Sequence, residues 1–118
     1  MQYAVLAAME EAADYPEIIA KEFKERCEII VDRLNDMPGV ECHKPKGAIY
    51  VFPKVHVDGM TSEEIALELL KDGVLCSPGS AFGPSGEGHL RFAYTISKED
   101  ISLGMDKVES TLKRLNGL

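Results

Sequence analysis

Basic residues and long apolar runs are scarce in this sequence of 118 residues. Only 13 lysines and arginines stand against 20 aspartates and glutamates, so the formal net charge is −7. Nucleic acids and anionic membrane surfaces attract an excess of basic residues, so this balance argues against both as partners. The longest apolar run, Tyr3 to Met9, is far too short to cross a bilayer.

Cysteine is also scarce, and the residues of a secretory signal are missing. No basic segment precedes the apolar run, and Glu10 and Glu11 follow it at once, so no signal peptide is expected. The three cysteines are an odd number at scattered spacings, namely Cys27, Cys42 and Cys76. They favour free thiols in a reducing cytoplasm over a disulfide framework. The length suits one domain with a core of its own.

Several signatures of cofactor, metal and nucleophile sites are missing as well. No G-x-G-x-x-G or P-loop sequence follows a strand pattern, and the cysteines and histidines share no ligand spacing, so no metal site is predicted. The G-x-x-G of residues 83–86 has the spacing of a KH loop, but it joins strand patterns in an acidic chain. Ser80 has no evident base partner, and no lysine lies in the apolar setting that Schiff-base chemistry requires.

Hydrophobic periodicity predicts four helices. The first is the Ala-rich segment 2–13, after which Asp14 is expected to cap the second helix, with Glu17 completing a capping box. Thr61 and Ser97 open similar sequences before the third and fourth helices, and Gly73 closes the third. The apolar residues expected to face the core are Ile19, Phe23, Cys27, Ile30, Leu34 and Met37, then Ile65, Ala66, Leu69 and Leu70, and finally Ile101, Met105, Val108, Leu112 and Leu115.

Four short segments have the composition or alternation of strands, namely Val40–His43, Ala48–Phe52, Val74–Cys76 and His89–Tyr94. The first two flank turn-forming residues and are predicted to form a hairpin, which Pro53 ends. In the fourth, Leu90, Phe92 and Tyr94 share one face. The order of elements predicts an α+β fold, a small four-stranded, mostly antiparallel sheet with amphipathic helices packed on one face.

The fourth strand pattern directs Arg91 away from the helix-covered face, beside the Gly-rich segment 77–88. A guanidinium there offers a planar fork suited to a carboxylate or a phosphate. The alternative is a solvated arginine paired with an acid such as Glu87. The Gly-rich segment is expected to form turns with close backbone approach, without a helix or a ladder strand, as a functional loop or as a long flexible connection.

Three stretches of this sequence stand out together. They are Ser77-Pro78-Gly79-Ser80-Ala81-Phe82-Gly83, Gly88-His89-Leu90-Arg91-Phe92-Ala93-Tyr94-Thr95, and Lys44-Pro45-Lys46-Gly47-Ala48-Ile49-Tyr50-Val51-Phe52-Pro53. The first two resemble the C-terminal signature of class I/II pyridoxal-phosphate aminotransferases, and the third resembles that family's P-x-G-A-F-Y hairpin, with Ile49 where an aromatic is common. Gln2-Tyr3-Ala4 resembles the segment that enters the family's long inter-domain helix. The resemblance covers essentially the whole chain.

The resemblance implies a fold type I enzyme, in which a large domain carries the cofactor and a small domain closes over the substrate. Residues 1–13 would be the end of the inter-domain helix and residues 14–118 the α+β body of the small domain, with the large domain absent. By position, Arg91 would bind the substrate α-carboxylate. Ser80 and Phe82 would lie on a loop at the mouth of the active site, and Gly47 would let the backbone approach the ligand.

The same resemblance implies pyridoxal phosphate as cofactor of the complete enzyme, a small amino acid or 2-oxo acid as substrate, and a homodimeric parent. The Schiff-base lysine and the other cofactor-binding residues would precede Gln2, so the expectation is a fragment without catalytic residues, bound cofactor or activity. Two alternatives stay open. One is a stand-alone ferredoxin-like, amino-acid-binding regulatory module, whose βαββαβ order differs from the predicted one. The other is the small domain of a related pyridoxal-phosphate lyase or synthase.

Overall fold

The computed structural model describes residues 1–118, and it is an α+β fold, as predicted. Its helices are α1 (Gln2–Glu11), α2 (Tyr15–Asn35), α3 (Ser62–Lys71) and α4 (Lys98–Leu115). Its strands are β1 (Val40–Glu41), β2 (Tyr50–Val51), β3 (Lys54–Val55), β4 (Ser77–Pro78) and β5 (Leu90–Ala93). Two short 3-10 turns, Gly79–Phe82 and Pro84–Gly86, lie between β4 and β5. None of the helices combines the length and apolar character that spanning a membrane requires.

The strands form two small antiparallel sheets joined by a single bridge. One sheet pairs β1 with β3, and the other has the order β2-β5-β4. The register that sets Tyr50 opposite Ala93 continues to Lys54 opposite His89, so β2 and β3 behave as one strand with a break at residues 52–53. Proline has no N–H to donate, but the Pro53 carbonyl still accepts from Leu90 N–H at 3.1 Å.

Three details of the predicted sheet are wrong. The strands number five rather than four, and they form two sheets rather than one, because the break at residues 52–53 separates β2 from β3. Val40–His43 does not form a hairpin with Ala48–Phe52, because β1 pairs instead with β3, which lies beyond Pro53. Pro53 therefore interrupts the strand rather than ending it. The third predicted strand, Val74–Cys76, lies just ahead of the observed β4 at Ser77–Pro78, where the backbone first reaches the edge of β5.

Helices α2, α3 and α4 cover one side of these strands and enclose the core. The core includes Leu34, Leu69 and Leu90, each fully buried, together with most of the apolar residues predicted to face inward. Leu70 is an exception, because 51% of its surface is exposed. Helix α1 has no buried residue, and its assignment to an inter-domain helix stays a prediction.

The predicted caps are confirmed for two helices and wrong for one. Thr61 and Glu64 form a full capping box at the start of α3, and Ser97 accepts a hydrogen bond from Asp100 N–H at 3.1 Å at the start of α4. Asp14 precedes α2 but makes no side-chain cap. Its backbone has φ −85° and ψ −12°, a helical conformation, whereas a capping side chain needs the extended one.

Candidate functional site

The face of β2 and β5 that points away from the helices carries a cluster of aromatic and basic side chains. We call this surface the open face, and it comprises Tyr50, Phe52, Phe82, His89 and Arg91. Residues 50 and 52 share one side of their strand, as do 89 and 91, because strand side chains alternate. Tyr50 pairs with Ala93, and its diagonal neighbour is therefore Arg91.

The Arg91 guanidinium lies between two aromatic rings. Its central carbon is 4.3 Å from the centroid of the Tyr50 ring and 4.7 Å from that of the Phe82 ring. Both distances are those of cation–π contacts, which restrict the guanidinium while leaving its edge free. Its one hydrogen bond runs from Nη2 to Ser77 Oγ at 3.4 Å.

Arg91 has no ion pair with an aspartate or a glutamate. Glu87, the acid considered as its partner, instead accepts hydrogen bonds from the backbone N–H and the hydroxyl of Ser62, each at 2.8 Å. These bonds hold the pKa of Glu87 below its usual value. The alternative of a Glu87–Arg91 pair is therefore wrong, and most of the five guanidinium donors remain available.

Further aromatic contacts complete the open face. Phe52 stacks on the His89 ring with centroids 4.9 Å apart, and it meets the Phe82 ring edge-on at 5.9 Å. Tyr50, Phe52 and Phe82 are 40%, 43% and 51% exposed, so these rings form a rim around the guanidinium rather than a core.

The Gly-rich segment folds back on itself beside Arg91. A Cβ at Gly79 would lie 2.0 Å from the Gly86 carbonyl oxygen, and one at Gly86 would lie 2.1 Å from that of Gly79, so neither position tolerates a side chain without movement. Gly79 N–H also donates to the His89 carbonyl at 2.7 Å. The predicted close backbone approach is confirmed. The expectation that no helix or ladder strand forms here is wrong, since β4 pairs with β5 and two 3-10 turns follow.

The structure brings only some of the predicted site residues together. Phe82 touches Arg91, whereas Ser80 is solvent-exposed, and its backbone N–H donates to Ser62 Oγ at 3.4 Å. Gly47 is exposed and lines a different cleft, of about 740 Å³, between α2 and the 44–49 loop. The binding roles of Arg91, Phe82, Ser80 and Gly47 remain predictions.

Tyr50 and Ser77 were not among the candidate residues, although both contact Arg91. A signal for Tyr50 exists in the sequence, because its neighbour Val51 is apolar and buried, which places Tyr50 on the opposite side of the strand. Ser77 carries no such signal, because its place beside Arg91 depends on the pairing of β4 with β5.

The remaining reactive groups do not form a second site. Burial raises the pKa of both the Cys42 and Cys76 thiols to about 11, which keeps them protonated and weakly nucleophilic. No three histidine, cysteine or acidic side chains come together in a way that could hold a metal ion.

No lysine of this chain lies in the setting that a pyridoxal-phosphate Schiff base requires. The cofactor's lysine must lose its proton to form a Schiff base, which requires an apolar or cationic setting. No lysine of the chain is buried. Lys98 is the least exposed, and its hydrogen bond with Glu25 raises its pKa instead.

The geometry defines an α+β domain whose open sheet face carries an arginine that lies between two aromatic rings and has no acidic partner. No protein-family model matches the chain. It is 44% identical over 105 residues to aspartate aminotransferase of Pyrococcus horikoshii, covering 88% of this chain and 27% of that protein. It is 35% identical over 116 residues to aromatic-amino-acid aminotransferase 2 of Thermococcus litoralis, covering 96% of this chain and 30% of that one.

Solved structures agree with these sequence relations. The alanine aminotransferase from Pyrococcus furiosus superposes with a TM-score of 0.90 at 36% identity, over 96% of this chain and 29% of that chain. The chain thus spans less than a third of the length of the relatives it matches. It belongs with the fold type I aminotransferases, as a counterpart of their C-terminal small domain. Two helices precede its first strand, so it lacks the βαββαβ order of a ferredoxin-like module.

Proposed function

We propose that this chain is the substrate-carboxylate-binding C-terminal domain of a pyridoxal-phosphate-dependent aminotransferase. The complete enzyme would transfer an amino group between an amino acid and a 2-oxo acid. One observation carries the binding role, namely that the Arg91 guanidinium has no acidic partner and is held between two rings on the open face. The aminotransferase relatives support the reaction class.

In this role, Arg91 binds the α-carboxylate of the substrate and orients the substrate. A substrate α-carboxylate accepts two parallel N–H bonds from the guanidinium, the strongest geometry available to this pair. The Tyr50 and Phe82 rings limit rotation of the fork, so the carboxylate also fixes the direction of the bonds at the α-carbon. Pyridoxal phosphate, when bound to the complete enzyme, supplies an electron sink for the carbanion chemistry.

The large domain of the same enzyme would face the aromatic rim when the two domains close. Closure would exclude water from the Arg91–carboxylate pair and strengthen it, since charges interact more strongly away from water. The chain alone would bind the substrate weakly and would not transaminate, because no lysine in it fits the cofactor. We also propose that the parent enzyme is a homodimer. We propose a cytoplasmic location, because the three cysteines are free and free thiols are typical of a reducing compartment.

The test is the Arg91→Ala variant of the complete enzyme, with the better of L-aspartate and L-phenylalanine as amino donor. Losing a bidentate charged contact worth about 3 kcal/mol raises the apparent KM about 100-fold. Arg91→Lys recovers only part of this loss, because an ammonium cannot replace the planar fork.

Arg33→Ala is the matched control. Arg33 pairs with Asp106 at 2.6 Å on the helical side of the domain, so its removal deletes an arginine without touching the open face. The KM of this variant should stay at the wild-type value. An unchanged KM in Arg91→Ala would disprove the carboxylate role.

A further inference from the structure

Hydrogen bonds connect Ser62, the first residue of α3, to the Gly-rich segment at two points, Ser80 and Glu87, which lie on either side of residues 81–86. Ser62 is 1% exposed, and its backbone N–H and hydroxyl donate to the two carboxylate oxygens of Glu87, each at 2.8 Å. The same hydroxyl oxygen accepts from the Ser80 N–H at 3.4 Å. The buried Ser62 hydroxyl therefore links Ser80 to Glu87. We call this arrangement the Ser62 clamp.

The start of α3 leaves a place for Glu87. Thr61 and Glu64 satisfy each other's backbone N–H groups in the capping box. The Ser62 N–H, also in the first turn, has no acceptor within the helix and needs one from outside. A carboxylate is suited to this position because the N-terminal end of a helix carries partial positive charge.

Ser80 and Glu87, the two residues that Ser62 holds, each lie a few positions along the chain from a residue of the proposed carboxylate site. Phe82 follows Ser80 by two residues in the same 3-10 turn, and its ring lies 4.7 Å from the guanidinium carbon of Arg91. On the other side, Glu87 leads through Gly88 and His89 into β5, which carries Arg91. The clamp therefore holds the two backbone segments whose side chains meet in the Phe82–Arg91 contact.

We propose that Ser62 and Glu87 are positioning residues for the carboxylate site, which hold the 79–82 turn so that Phe82 stays against Arg91. Neither touches the ligand. The proposal rests on the function proposed above, since a clamp on the turn affects catalysis only if Arg91 binds substrate.

Kinetics of the complete enzyme test the clamp, with the better of L-aspartate and L-phenylalanine as amino donor. Glu87→Ala should raise the apparent KM about five- to tenfold and leave kcat within twofold, because the carboxylate contact is made in both the ground state and the transition state. Glu87→Gln keeps an acceptor oxygen for Ser62 and should restore the KM to within threefold of wild type. Ser62→Ala is a second route to the same effect, should Glu87→Ala fail to fold.

Glu63→Ala is the matched control, because Glu63 is an exposed acid in the same first turn of α3 without a contact to the loop. Its KM should equal that of the wild type. A wild-type KM in both Glu87→Ala and Ser62→Ala would overturn the proposal. So would equal losses in Glu87→Ala and Glu87→Gln, since the effect would then follow charge rather than hydrogen bonding.

Hydrogen exchange in the 118-residue chain separates a failure of the clamp from a failure of the proposed function. The Ser80 N–H should exchange at least tenfold faster in Glu87→Ala than in Glu63→Ala, whether or not Arg91 binds substrate. Equal exchange rates would overturn the clamp. Fast exchange together with an unchanged KM in Arg91→Ala would leave the clamp in place as a structural feature and reject the carboxylate site instead.

Discussion

The two faces of strand β5 have opposite environments. Leu90 and Phe92 point into the core and are 0% and 4% exposed, while His89 and Arg91 point to the open face and are only partly covered. The core face is apolar and packs against helices, whereas the open face joins a guanidinium to a rim of aromatic rings. Strand β5 thus supplies stability from one side and, in the proposed function, a binding group from the other. A slip of one residue would exchange the two faces.

The sharpest way to test this division is to truncate neighbours on opposite faces. Leu90→Ala should lower the free energy of unfolding by about 3 kcal/mol, because it leaves a cavity in the core. Arg91→Ala should lower it by less than about 1 kcal/mol, because its cation–π contacts are partly open to solvent. Urea denaturation of the chain measures both values. Similar losses in the two variants would contradict the division.

A second prediction concerns the loop that borders the open face. Gly79→Ala should cost about 2 kcal/mol, since the added Cβ would meet the Gly86 carbonyl oxygen at 2.0 Å and force the loop apart. Gly47→Ala is the control, because no atom lies within 4 Å of a Cβ there and its φ is not positive. Urea denaturation measures the loss of stability, and the NMR signals of the Phe82 ring report the displacement of the loop. Equal stability of the two variants would mean that the loop does not depend on this close approach.

The smallest expected effect is a pH-dependent loosening of the 79–82 turn beside the open face, without a change in the core. Hydrogen bonds from Ser62 hold the pKa of Glu87 below its usual value of 4.5. The stabilisation that comes from ionisation of Glu87 is therefore fully present at neutral pH and is lost as the pH falls through the folded-state pKa, although the protonated carboxyl keeps a carbonyl acceptor for Ser62. Ser80 N–H should lose a small part of its protection against exchange in acid, after correction for intrinsic exchange, while Phe92 N–H stays protected. In Glu87→Gln this step should disappear, and its persistence would point to another group.

Much of the fold was predictable where the signals are local. The capping sequences at Thr61 and Ser97 and the alternation around Arg91 all depend on residues within a few positions of each other, and all three are confirmed. Asp14 shows the limit of such signals. It has the right residue type for a cap, but the turn that leaves α1 sets its backbone in a helical conformation.

The candidate site was predictable in its central residue and not in its surroundings. The sequence pattern placed Arg91 outside the core, but it suggested Glu87 as a partner, and Glu87 instead binds Ser62, 25 positions away along the chain. Tyr50 contacts Arg91 across paired strands that are separated by about 40 residues in sequence. Neither contact follows from spacing along the chain.

By itself, the sequence determined the four helices, the inward faces of most of them and the side of β5 that carries Arg91. These properties depend on the period of a helix or a strand, which a single segment contains. Only the tertiary structure decided that β1 joins β3 across Pro53, that Gly79 packs on Gly86, and that Arg91 lies free of acids between two rings. Those outcomes depend on which distant segments meet, and that is set by burial of one shared core rather than by any local pattern.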